Sequence, residues 1–278
     1  MAGTRASTGK VEIRDVGKVY DPAGVHVVAV EDCSFDIEAG QFVAVVGPSG
    51  CGKSTLLNAI AGFDSVTSGE IVLDGVTIAS PARVMPPASD RVVVFQSGAL
   101  FPWKTLLENI TYGPVIQGRM SRGEAESTAR DLLRRVGLEG VDEKYPSEVS
   151  SGVQRRVEIL RALINQPTIM LLDEPFRALD AVAKNVMHDF LLELFDLKPR
   201  TMFFITHDLD EAIFLADKVV VMTTRPARVK KIIEVDFPRP RSRQVMGSEK
   251  YMHLKKELLG VVHEEALKAF RAGEREMA

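Results

Sequence analysis

Two cysteines, Cys33 and Cys51, and a single tryptophan occur in 278 residues. So few cysteines exclude a disulfide framework, and a reducing cytosol is the simplest compartment. Lysine and arginine number 35 against 38 acids, a net charge of −3, so no general electrostatic pull draws the chain to nucleic acid. No apolar run reaches the ~18 to 20 residues needed to span a bilayer, and the opening MAGTRASTGK lacks the apolar core of a signal peptide. Action at a membrane therefore requires binding something that spans it. Sustained heptads are missing too, which excludes a long coiled coil. What is present is ordinary globular composition, 45% apolar and 26% charged, with length for a core and a second subdomain.

Residues 1–9 are small and polar and read as frayed. Alternating segments VEIRDVGKVY, VHVVAV and CSFDI across 11–37, with a DPAG turn at 21–24, predict short antiparallel strands. The apolar run 42–46 predicts a buried strand, 69–78 a hairpin around Asp74 and Gly75, and 91–96 a second buried strand. From Gly98 to about Val149 the texture changes. ALFPWKTLLENITYGPVI is apolar and broken by prolines, and 124–136 is an amphipathic helix with Ala125, Ala129, Leu132, Leu133 and Val136 on one face. This block reads as a helical insertion. A helix over 152–165 follows, then strand 169–175, helix 181–197, strand 202–206, helix 209–216 and strand 218–222. Buried strands alternating with helices predict a parallel sheet covered on both faces. Residues 237–243, FPRPRSR, read as a basic, proline-broken linker. Beyond it Tyr251, Leu254, Leu258, Val262 and Phe270 form the apolar row of one helix, suited to docking on its own domain or to a dimer or regulatory contact.

Chemistry concentrates in a few places. Gly47, Pro48, Ser49, Gly50, Cys51, Gly52, Lys53, Ser54 and Thr55 fit G-x-x-x-x-G-K-[ST] directly after the first buried strand. A strand feeding a glycine-rich turn that opens a helix aims several backbone N–H groups at one spot, where a nucleotide β-phosphate fits. Lys53 is placed to reach the β- and γ-phosphates and Ser54 to hold Mg²⁺. IMLLDE ends in Asp173, suited to bind Mg²⁺ directly or through water, and Glu174, suited to polarise a water toward the γ-phosphate. Gln96, closing its strand, is placed to touch Mg²⁺ and that water. His207 closes another strand near the same edge, where ligands bind in open α/β sheets. Tyr20 offers a flat face for a base. His207 and Tyr20 also have a plain structural reading, and two adjacent acids after a strand can simply begin a loop. A thiol at Cys51, inside the loop, is expected to be shielded from alkylation by nucleotide.

In this order and spacing the residues resemble the ATP-binding subunits of ABC transporters, over about residues 10–235. GPSGCGKST looks like Walker A, Gln96 like the Q-loop glutamine, VSSGV (149–153) like the signature motif, and IMLLDE like Walker B. RALD (177–180) looks like the D-loop, His207 like the switch histidine and Tyr20 like the adenine-stacking aromatic. SDRVVVFQSGALFPWKTLLENI, DEPFRALDA, THDLDEAIFLAD and VMTTRPARV resemble the nitrate, sulfonate and taurine importer branch. The resemblance implies an α/β P-loop NTPase core of RecA type, an antiparallel β subdomain and a helical subdomain at about 98–151; the C-terminal linker and helix over 236–278 are read from the residues and lie outside it. It implies ATP and Mg²⁺, and a second ATP-binding subunit, identical or not, whose ATP meets Ser150, Ser151, Gly152 and Asp180. It also implies a membrane permease, an external substrate-binding protein, and a peripheral place on the cytoplasmic face of the plasma membrane. The apolar cluster Leu100, Phe101, Pro102 and Trp103 is the candidate permease contact; local core packing is its alternative.

The chain departs from the family pattern at several positions. Ser151 replaces the first glycine of the usual LSGGQ, at a cost of ~1 to 2 kcal/mol if that position needs φ > 0. Arg177 stands where the branch has a small residue, and Glu158 and Leu160 where it has alanines; Glu158 can pair with Arg155 or Arg161. Altered hydrolysis, a non-identical partner subunit and unaltered activity all fit these departures. A non-transport ATPase acting on DNA or ribosomes fits less well, since the chain has one cassette and no coiled coil.

Overall fold

A computed structural model describes residues 8–21, 24–177, 179–198 and 200–271. Residues 1–7 of the expected frayed start, Pro22 and Ala23 of the DPAG turn, and Ala178 of RALD lie outside the described residues. Gly9 is not frayed: its N–H donates to Asp74 at 2.8 Å, and Thr201 Oγ1 donates to its carbonyl at 2.6 Å.

Among the described residues the chain runs β1 (Val11–Tyr20), β2 (Val27–Ile37), β3 (Phe42–Val46), α1 (Lys53–Ala61), β4 (Ser68–Leu73), β5 (Val76–Ser80), β6 (Arg83–Val84) and β7 (Arg91–Val94). Then come α2 (Leu106–Ile116), α3 (Arg122–Arg135), α4 (Ser151–Leu163), β8 (Ile169–Asp173), α5 (Ala181–Leu197), β9 (Thr201–Ile205), α6 (Leu209–Leu215), β10 (Lys218–Met222), β11 (Val229–Glu234) and α7 (Glu249–Arg271). One sheet is antiparallel, in the order β2-β1-β4-β5-β6. The other has the order β11-β10-β3-β9-β8-β7, parallel except for edge strand β11. This is the expected α/β core with its antiparallel β subdomain and helical subdomain.

The central strands read as unbroken apolar runs because both of their faces are buried. Along β3, Phe42, Ala44 and Val46 enter the core shared with the helices, while Val43 and Val45 enter the core beneath the antiparallel sheet. Strands β8, β9 and β10 divide the same way: Met170, Phe204 and Val219 to one side, Leu171, Phe203 and Val220 to the other. Helix α1 packs into the second core through Leu56, Leu57 and Ile60.

Several boundaries differ from the sequence reading. From Val27 on, VHVVAV and CSFDI form one strand, β2, and Asp32 (φ 46°) and Asp15 (φ 48°) of neighbouring β1 have left-handed backbone where the pairing register shifts. Strand β7 stops at Val94, so Gln96 lies in an exposed loop rather than closing a buried strand. The proline-broken stretch contains a helix, α2, started by a reciprocal Thr105–Glu108 cap. Residues 237–243 act as a strap: buried Arg241 donates to the carbonyls of Phe214 and Ala216 at 3.1 and 2.6 Å, closing the end of α6. Helix α7 docks on its own chain. The Tyr251 hydroxyl donates to Asp210 at 2.8 Å, and Leu258 is buried, but Phe270 is 81% exposed and leaves the expected row.

Candidate active site

Strand register assembles the site. In the parallel sheet Val45 pairs with Ile205, Ile205 with Asp173, and Leu172 with Val94. The residues just past these strand ends, Gly47, His207, Glu174 and Gln96, therefore emerge along one edge. Ligands bind at that edge in open α/β sheets.

The 47–55 loop has the build of an anion cradle. Helix α1 starts at Lys53 with no side-chain cap, which leaves its first-turn amides turned toward the loop. Gly52 has φ 122°, and a Cβ there would stand 2.6 Å from the Ala29 carbonyl; a Cβ on Gly47 would stand 2.9 Å from the Met222 carbonyl. These two glycines permit the close approach. Pro48, Ser49 and Gly50 face outward, and Arg225 donates to the Gly50 carbonyl at 2.9 Å. Lys53 is buried, and its ammonium donates to the carbonyls of Gly47 and Pro48 at 2.8 Å each. Cys51 is 1% exposed, and burial pushes its thiol pKa up. The fold itself shields this thiol, so nucleotide is not required for protection as the sequence reading expected.

Ser54 is exposed and its hydroxyl lies near the Asp173 carboxylate. Burial pushes the Asp173 carboxyl above its usual range. The Ser54 hydroxyl and Lys53 work against that, and neighbouring Glu174 adds to it. Among the described residues no three His, Cys, Asp or Glu side chains converge as a metal cage. Ser54 and Asp173 fit the other arrangement, in which Mg²⁺ takes one or two protein oxygens and completes its shell with substrate phosphate and water.

Glu174 has φ 41°, a conformation costing of order 1–3 kcal/mol for such a residue. Its N–H donates to the Ile205 carbonyl at 3.0 Å, which ties it to β9. Three side chains converge on its Oε2: Gln96 Nε2 at 3.4 Å, His207 Nδ1 at 3.2 Å and Arg177 Nη1 at 3.6 Å. The His207 contact is a hydrogen bond when Nδ1 carries the proton.

Tyr20 sits beside this cradle, near Thr55. Its hydroxyl donates to Asp64 at 2.7 Å, while Lys18 donates to the same carboxylate at 2.6 Å and lies 4.9 Å from the ring centroid. One ring face therefore already carries a cation. Asp64 and Arg225 carried no signal in the sequence: each is a single polar residue in a loop, and only the fold brings it to Tyr20 or Gly50.

Ser150, Ser151 and Gly152 stand apart from the phosphate loop, at the start of α4. Ser150 is the helix cap and accepts from the Val153 N–H at 3.4 Å. Ser151 is the first helical residue and does not have positive φ, so the strain considered for serine there does not arise. It lines a cleft of about 670 Å³ together with Gln96 and Arg177. Asp180 caps α5, accepting from Val182 and Ala183 at 2.9 Å.

A second groove, of about 520 Å³, runs between the sheet and the helical subdomain and is lined by Phe63, Phe95, Phe101, Tyr112 and Arg161 among others. Trp103, 70% exposed, stacks on Phe101 of that lining at 5.6 Å. Leu100, grouped with them in the sequence reading, is instead half-buried against the helical core.

A sequence profile described as ABC transporter matches residues 30–177. The aliphatic sulfonates import ATP-binding protein of Bacillus cereus is 39% identical over 249 residues, covering 90% of this chain and 94% of the relative. The nitrate import ATP-binding protein of Synechococcus elongatus is 40% identical over 260 residues, covering 92% and 93%. Among solved structures, a dimeric ATP-binding cassette in a post-hydrolysis state bound to ADP and Pi superposes with TM-score 0.70 at 30% identity, over 82% of this chain and 100% of that one.

Proposed function

The chain belongs to the ABC transporter family, and from that membership we propose that it is the ATP-hydrolysing subunit of a membrane importer for a small anion or related small molecule. The observation that carries this reading is the convergence of Gln96, His207 and Arg177 on one oxygen of Glu174, at the sheet edge that also holds the uncapped start of α1.

Each residue then has a task. Lys53 exchanges the carbonyls of Gly47 and Pro48 for β- and γ-phosphate oxygens, and the amides of the 47–55 loop hold the β-phosphate. Tyr20 offers the ring face opposite Lys18 to the base. Ser54, Asp173 and Gln96 would hold Mg²⁺, which would supply charge neutralisation for the phosphates. Glu174 orients the attacking water and takes its proton, and His207 keeps Oε2 aimed. A second subunit, identical or not, completes the site. Its Ser150, Ser151 and Gly152, at the positive end of α4, meet the γ-phosphate, with Asp180 alongside.

No described helix is long and apolar enough to cross a membrane. In this reading coupling runs to a separate permease seated against Phe101 and Trp103, with an external binding protein and a peripheral location on the cytoplasmic face of the plasma membrane. In this reading residues 10–235 are the ATPase domain, with the helical subdomain at about 98–151, and 236–278 a C-terminal appendage.

The test is ATP turnover of the wild type beside Glu174→Gln. The variant should lose at least about 100-fold in kcat while retaining ATP affinity. Equal turnover would remove Glu174 from the reaction. A second reading, restrained hydrolysis, is favoured by the Arg177–Glu174 ion pair.

A further inference from the structure

We propose that Arg155 and Glu158 are positioning residues: a buried ion pair that fastens the Gln96 loop to α4, so that Gln96 and the Ser150 end of that helix move as one body.

Strand β7 ends at Val94, so sheet hydrogen bonds no longer hold residues 95–99. Helix α4 takes over. The Arg155 guanidinium donates to the Phe95 carbonyl at 2.8 Å and the Gln96 carbonyl at 2.7 Å. Its partner Glu158, 2.6 Å away, accepts from the Ala99 N–H at 2.6 Å, and Arg161 donates to the Ala99 carbonyl at 2.8 Å. Residues 155, 158 and 161 follow one another on one helix face, so a single stripe of α4 grips both ends of the loop.

The pair is deeply placed, with side-chain exposures of 9% and 5%. A buried ion pair is a poor device for stability alone, because desolvation offsets its attraction and apolar residues often do as well. Its forked, directional hydrogen bonds do something apolar packing does not: they set where a loop backbone sits. That backbone carries the Gln96 side chain to within 3.4 Å of Glu174. Five residues before Arg155, Ser150 caps the same helix. A shift of α4 that brings Ser150 onto a partner's nucleotide thus carries Gln96 with it, in the same step, into this chain's own site. The inference rests on the function proposed above.

The test compares wild type, Glu158→Ala, Gln96→Ala and the double variant, by steady-state ATP turnover and by amide exchange of residues 95–99. If Glu158 acts through Gln96, Glu158→Ala lowers kcat about tenfold with KM for ATP unchanged, and the double variant is no slower than Gln96→Ala alone. Exchange at 95–99 rises at least about tenfold in Glu158→Ala. Independent, multiplying losses in kcat, or unchanged exchange at 95–99, would overturn the proposal. Arg155→Lys is the second variant should Glu158→Ala not fold: it keeps the charge but not the fork, and its loss should likewise vanish in the Gln96→Ala background. A wild type without turnover would instead count against the proposed function, and the exchange result would still decide whether the pair holds the loop.

Discussion

Nδ1 of His207 lies 3.2 Å from Oε2 of Glu174, across two strands paired so that Asp173 stands opposite Ile205. The two residues are 33 positions apart, and each sits just beyond its strand. Neither lies within the sheet. The strand ends fix the spacing, and the left-handed backbone at Glu174 turns its carboxylate toward the histidine.

Arg177 shares that carboxylate at 3.6 Å but is half exposed, and such a pair contributes at most about 1 kcal/mol. A cation on Oε2 competes with water for the same lone pairs. Arg177→Ser is therefore expected to raise kcat about two- to fivefold, the change that 0.4–1 kcal/mol produces. Thermal stability should stay within about ±0.5 kcal/mol. Steady-state turnover decides the matter: a fall would mean that Arg177 assists the reaction.

Asp173 is held above its usual pKa chiefly by burial. The unfolded carboxyl then ionises at lower pH than the folded one, so ionisation favours the unfolded chain. The penalty is absent below about pH 3.9, the unfolded value. It grows as pH rises toward the folded pKa and is complete above it. Asp173→Asn should accordingly be more stable than wild type at pH 7, by about 2–4 °C for a stabilisation near 1 kcal/mol, with the gap closing on acidification. Melting curves from pH 4 to 8 check the sign. The same variant should lose Mg²⁺-dependent turnover.

Both cysteines are buried, Cys33 at 0% and Cys51 at 1% exposure, and burial pushes the Cys33 thiol up to about 12. Since the thiolate is the reactive form, maleimide should label native protein slowly with or without MgATP, and quickly in denaturant. Rapid native labelling that MgATP suppresses would show that the phosphate loop opens far enough to expose Cys51.

Much of the site was legible because its chemistry is local. The phosphate-loop pattern needs eight consecutive residues and a strand before them, and β3 and α1 flank and carry them. Asp173 and Glu174 follow a short apolar run that ends where β8 ends. The helix over 106–116 was hidden by Pro114, although the Thr105 and Glu108 pair announces its start. Phe270 was misplaced because a helical row continues in sequence after the surface beneath it has ended.

The motifs, the alternation of buried strands with helices, and hence the α/β class follow from the order of the residues alone, because periodicity and loop chemistry act within a few residues. That Ser151 enters a helix without strain, that Cys51 faces inward, and that Arg155 grips a loop 59 residues away in sequence emerges once the chain is folded. Those outcomes depend on which surfaces meet. Hydrogen bonds and burial between distant segments follow from chain topology, which no short stretch of residues encodes.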